Sequence, residues 1–265
     1  MSNKLSNRLR FYLEIRKALG VFEDVDYSVI TGGFAQKNNK LGDVDIVTVV
    51  PFISPSIPKS IVQFAKKHVG SQLKESFTPD FEFPTDVVSR QQIVDATEGR
   101  TFEVVNGVLR IKNFSKNEIT TNPEADYRVW LYEMITHDFD LIGGNFEALI
   151  RDTMVALKTT FLWASQVYKY KGSVKIERIQ VDIFSAAGLS YKLSEKQSRY
   201  LLIMLEEEGL GKADSNDSII LNSKKIEAEV IKLKKLIMSR DSFLTAHILP
   251  WEILRRSVEK YKKIK

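Results

Sequence analysis

Residues 30–50 read ITGGFAQKNNKLGDVDIVTVV. Gly32 and Gly33 directly follow a short β-rich run, Tyr27–Thr31. A polar loop comes next, and Asp43 and Asp45 then flank Val44 at the head of an apolar run reaching Val50. β-Branched residues dominate that run and favour an extended backbone. In a strand, residues i and i+2 leave the same face, so Asp43 and Asp45 lie side by side. Two carboxylates that close repel each other, and fold stability has little use for them. A divalent cation that takes oxygen ligands removes the repulsion. Glycine just upstream lets backbone N–H groups approach an anion, and Lys37 and Lys40 add cationic contacts for phosphate. A lone Asp-x-Asp pair is often merely solvated, and a lone Gly-Gly is usually a turn. The order of strand, glycine pair, polar loop, acid-apolar-acid and strand favours a cation and phosphate site over that plainer reading.

Composition narrows the chemistry. The 265 residues suffice for one large domain or two ordinary ones. With 43% hydrophobic and 28% charged residues the chain is expected to fold rather than stay disordered. It has no cysteine, which removes disulfides, thiolate nucleophiles and cysteine zinc sites. His68, His137 and His247 are the only histidines and share no zinc-ligand spacing, so any metal is expected to be a hard cation on oxygen ligands. The N-terminus lacks the apolar core of a signal peptide, and no apolar run approaches the ~18 residues of a membrane span. A cytoplasmic address and no membrane partner are the expectation. A net charge of +5 leans mildly towards anionic partners.

Outward from residues 30–50, periodicity predicts a first helix over 5–19 and another over 57–69, with the three prolines of PFISPSIP as a connection before the latter. Residues 77–88 alternate like a strand, and 101–111 read as a hairpin around Asn106-Gly107. From Pro123 the pattern turns helical. Gly143-Gly144 reads as a break, followed by helical stretches over 146–170, 194–208, 223–240 and 250–263, with ADSNDSIIL as a polar turn into a short strand or loop. The fold class expected is α/β (α+β), a small mixed-sheet domain over 1–118 followed by a mostly helical domain over 119–265.

Thr31-Gly32-Gly33, a nine-residue loop and Asp43-Val44-Asp45-Ile46 together resemble the signature of the DNA polymerase beta-like nucleotidyltransferase superfamily, in particular its minimal and antibiotic-type members with an appended helical domain. Ala35 falls where many members carry a small residue. Thr31 replaces the usual apolar residue, and Gly33 replaces a frequent serine. The resemblance covers the first third of the chain. It implies that Asp43 and Asp45 hold metal, two Mg²⁺ ions with Mn²⁺ as a substitute, and that a third carboxylate stands on a later strand beside them.

Asp80, Glu82 and Asp86 share the parity for that role. Pro84 makes one uninterrupted central strand doubtful. Asp86, before Val87-Val88, is favoured as third metal ligand and catalytic residue; Glu82 is second, and Asp80 beside Pro79 suits a turn. The resemblance further implies nucleotide contacts at Gly32, Gly33 and Lys40, and at Lys158 from the helical half. Its activity would be transfer of a nucleoside monophosphate from an NTP to an acceptor hydroxyl on a small molecule, a protein or an RNA end.

Plainer and rival readings stand beside this one. Lys158 reads equally as a solvated lysine at a helix edge. His137, Asp138 and Asp140 suit a helix end as well as an acceptor site, and Trp130, Tyr132, Phe161 and Trp163 suit a core. The lysine-rich helix over 223–240 can grip phosphate, but Ile226, Val230 and Leu233 also predict a buried face with lysines merely facing solvent. Polycationic aminoglycosides want an acidic pocket, and neither half of the chain is acidic overall. A toxin–antitoxin-type enzyme acting on RNA or protein, and a non-catalytic nucleotide- or nucleic-acid-binding module, are the alternatives.

Overall fold

The computed structural model describes residues 25–31, 45–51, 85–90, 93, 102–111, 140–186, 195–215, 217–239 and 249–264. Its strands are β1 (Tyr27–Thr31), β2 (Asp45–Val50), β3 (Thr85–Ser89), β4 (Phe102–Val105), β5 (Val108–Ile111), β6 (Asp140–Gly144), β7 (Ser173–Lys175), β8 (Gly211–Ala213) and β9 (Ser218–Leu221). Its helices are α1 (Phe146–Tyr168), α2 (Ile176–Ala186), α3 (Glu195–Glu207), α4 (Ser223–Ser239) and α5 (Trp251–Tyr261), closed by a 3-10 turn at Lys262–Ile264. This is a mixed α and β chain with small sheets. The helices expected over 5–19 and 57–69, and most of that expected from Pro123, lie outside the described residues.

Two compact units divide the chain: residues 1–93 with 137–149, and residues 94–136 with 150–265. They cover different residues from the expected 1–118 and 119–265, because β6 joins the first sheet and the β4–β5 hairpin counts with the second unit.

In the first unit one sheet runs β3-β2-β1-β6. β1 is antiparallel to β2 and β6, while β2 and β3 are parallel. By register, Tyr27, Val29, Val47 and Val49 share one face and Ser28, Thr48 and Val50 the other, and all seven are buried. A strand covered on both sides has no need to alternate, which is why β2 reads as one apolar run. The two buried hydroxyls satisfy each other, Ser28 Oγ donating to Thr48 Oγ1 at 2.9 Å.

The sheet is clamped at the end where β1 begins. Arg90 Nε donates to Asp26 Oδ2 at 2.8 Å, and the guanidinium lies 5.7 Å from the Tyr27 ring centroid. Gly143-Gly144, expected as a break, closes β6 instead. Gly144 holds φ +90°, and a Cβ there would overlap the Asp26 carbonyl and Tyr27 Cα. Only glycine lets the backbones meet so closely.

The second unit carries the expected hairpin. Asn106 and Gly107 have φ of 51° and 74°, both left-handed, as a two-residue type I′ turn requires. Gln166 of α1 braces it, accepting from Leu109 N–H at 3.2 Å and donating to the Leu109 carbonyl at 3.1 Å. Residues 152–165 of α1 are buried all round. Their hydroxyls turn back on the helix: Thr160 bonds the Ala156 carbonyl and Ser165 that of Phe161.

This unit is less purely helical than expected. β7, β9 and β8 form an antiparallel sheet in that order, with β9 central, and α2 fills a stretch where no element was expected. The Gln180 amide of α2 donates to the Ser198 hydroxyl of α3. α5 packs on α3, with Tyr261 and Tyr200 rings 4.3 Å apart edge to face and the Tyr261 hydroxyl donating to the Tyr200 carbonyl at 2.8 Å.

Candidate functional site

Thr31, the last residue of β1, pairs with Asp45, the first of β2. The chain therefore enters Gly32-Gly33 at the sheet end where Asp45 stands. Asp86 pairs with Val47 across the parallel β2–β3 ladder. Register partners in a parallel pair leave the same face, and Val47 shares its face with Asp45 two residues away. Asp45 and Asp86 thus occupy one face on adjacent strands, with Cα atoms about 8 Å apart by strand spacing and rise. Val47 and Val29 stand level with Asp86, and Val49 and Tyr27 come farther along the same face; all four are buried, so Asp45 lies at the open end of an apolar surface and Asp86 beside it.

Other candidates fall elsewhere. Asp140 pairs with Ile30, which puts it on the opposite face from Asp45. Gly32, Gly33, Lys37, Lys40, Asp43, Asp80, Glu82, His137 and Asp138 lie outside the described residues. Beyond Asp86, the chain turns helical at Arg90 and Ile93, and Ile93 is buried.

Lys158 belongs to the second unit and is neither solvated nor at an edge: it is 1% exposed. Its Nζ lies 2.7 Å from Glu208 Oε2 and 3.0 Å from Glu229 Oε2, tying α1 to the end of α3 and to α4. The other Glu208 oxygen is buried with no hydrogen-bond partner. A phosphate contact from Lys158 has to draw it away from two carboxylates. No local pattern announces them, since Glu208 is 50 residues away; the apolar setting, VALKTTFLWA, is the one local sign of burial. Phe161 and Trp163 are buried core residues.

No family model, curated protein or solved structure matches this chain. No described helix is long and apolar enough to cross a membrane.

Proposed function

We propose that the chain is a metal-dependent nucleotidyltransferase that moves a nucleoside monophosphate from an NTP to an acceptor hydroxyl. The observation that carries this reading is the β2–β3 register, which brings Asp45 and Asp86 to one face at the sheet end where β1 runs into Gly32-Gly33. Asp43, Asp45 and Asp86 would hold two Mg²⁺ ions, with Mn²⁺ as a substitute, whose positive charge would offset the negative charge of the triphosphate. The Gly32-Gly33 backbone then binds and orients the β- and γ-phosphates through its N–H groups, and Lys40 adds a cation. Asp86 takes the proton of the acceptor hydroxyl as its oxygen bonds to the α-phosphorus, and pyrophosphate leaves on the opposite side. The acceptor is a hydroxyl of a small molecule, a protein or an RNA end.

Thermal stabilisation by each of the four NTPs with Mg²⁺, followed by transfer of α-labelled nucleotide to acceptors in lysate, tests the reading. Asp45→Asn is expected to abolish transfer while the fold persists. Asp86→Asn is expected to cost ~10²–10⁴-fold in rate with a smaller effect on NTP binding. Undiminished Mg²⁺-dependent transfer by Asp45→Asn would sink the proposal. A dead Glu82→Gln enzyme beside an active Asp86→Asn one would move the third carboxylate to Glu82.

A further inference from the structure

Between its β4–β5 hairpin and α4, the second unit runs in chain order through a long helix, a short strand, two helices and a two-strand hairpin: α1, β7, α2, α3, β8, β9. The hairpin and β7 make one antiparallel sheet with β9 in the middle. That succession and strand order are those of a winged helix–turn–helix. We propose that this part of the chain docks B-form DNA, with α3 entering the major groove and the lysine face of α4 meeting phosphates. The proposal does not rest on nucleotidyl transfer.

Two independent observations carry it. The first is how α3 is held. In helix–turn–helix docking the second helix enters the groove and its N-terminal residues read base edges. Here α3 buries Tyr200, Leu201, Met204 and Leu205 on its inner side, and the Gln180–Ser198 bond ties its first turns to α2. Its outer side begins with Glu195 and Arg199, whose side chains are 82% and 55% exposed. Their ion pair at 2.6 Å is open to water, so it is weak and gives way readily. A freed Arg199 guanidinium has the planar fork that pairs with O6 and N7 of guanine.

The second observation is charge. α4 starts directly after β9, with Asn222 Oδ1 accepting from Lys225 N–H at 3.2 Å as a cap. Ile226, Val230 and Leu233 face the core, which leaves Lys224, Lys225, Lys232 and Lys235 outward against one exposed acid, Glu227. Glu229 on the same helix pairs with the buried Lys158 and also stands 3.9 Å from Lys232, so Lys224, Lys225 and Lys235 carry most of the face's charge. A row of lysines along a helix held rigidly by its buried face suits the regular phosphates of a duplex.

The hairpin contributes less. Its tip carries Asp214 and Asp217, which accept hydroxyl bonds from Ser173 and from Ser215 and Ser218. That sign repels phosphate, so Lys212 at the hairpin's base, and not its tip, is the DNA contact. Ile231 and Met238 are 47% and 61% exposed within the lysine face, a mix that also suits an anionic membrane. Lipid is therefore one arm of the test.

The full chain, without NTP, is titrated into a labelled B-DNA duplex of about two helical turns, read by fluorescence anisotropy between about 50 and 200 mM salt. Duplex RNA, whose major groove is too narrow for a helix, and phosphatidylglycerol vesicles are run in parallel. Binding to DNA is expected to weaken steeply with salt. The double variant Lys224→Glu/Lys235→Glu should lower the salt slope by about two, roughly one for each phosphate deprived of its lysine. Arg199→Ala should lower affinity for a sequence selected from a random pool about 10-fold or more while hardly changing affinity for the unselected pool. Circular dichroism checks that these surface variants remain folded. Absence of duplex binding at the lowest salt, equal binding of duplex RNA, or binding to vesicles alone overturns the proposal. Equal losses for selected and random DNA in Arg199→Ala remove α3 from the groove and overturn it as stated.

Discussion

Lys158 shows what one buried charge demands of its surroundings. An ammonium so deeply buried has to be matched, and here Glu208 and Glu229 do so from two other elements. Lys158→Met would leave the buried Glu208 without a counter-charge and Glu229 with only Lys232 at 3.9 Å, with an expected loss of ~3–5 kcal/mol in urea unfolding. Adding Glu208→Gln should restore part of that loss by removing the unmatched charge. A variant that keeps its stability but loses NTP affinity would instead make Lys158 a nucleotide contact. The helix around Lys158 is legible in the sequence but its partners are not, because ion pairs across long separations leave no local pattern. The parity of Asp45 and Asp86 is more legible, since it is local; that β3 lies beside β2 follows from no local pattern and was expected only from the family resemblance and the apolar Val87-Val88.

At the scale of elements, two glycines that look alike in sequence do different work. Gly107 has φ +74° and open space where a Cβ would stand, whereas Gly144 has φ +90° and two backbone neighbours in that space. Gly107→Ala should therefore cost only the left-handed strain, about 1–2 kcal/mol. Gly144→Ala adds a clash that β1 must move to relieve, and its loss should be clearly larger. Urea midpoints of the two variants compare them, and equal values would mean that β1 yields at no cost.

The hairpin at Asn106-Gly107 was legible because its turn chemistry is local. β6 was not, because the need for Gly144 arises from Asp26 and Tyr27, far back in the chain. α2 carried a usable signal, Ile176, Ile179 and Ile183 at helical spacing and all buried. β7, three residues long, offered none.

On the scale of the molecule, charge couples elements that the chain order separates. Glu207 at the end of α3 accepts from Arg256 Nε at 2.7 Å and Lys260 Nζ at 2.5 Å, both on α5. Burial opposes its ionisation, but the two cations outweigh burial and hold its carboxyl below the usual range. A depressed folded pKa means stability that is present above the unfolded value of 4.5 and lost as pH falls through the folded one. Glu207→Gln should accordingly be less stable than the parent at neutral pH, and the gap should close in acid, below the carboxylate range. Urea unfolding at both pH values measures it; a gap that does not change with pH would assign the loss to packing.

The first unit is discontinuous in sequence: β6 comes from residues 140–144, after the β4–β5 segment that belongs to the other unit. During synthesis, β1 therefore leaves the ribosome long before the strand that covers its far edge. Until Gly144 emerges, the edge of Tyr27–Thr31 offers unpaired N–H and C=O groups to any extended chain nearby. A cut anywhere between β5 and β6 would make that transient exposure permanent, so a fragment stopping there is poised to stick to its own kind.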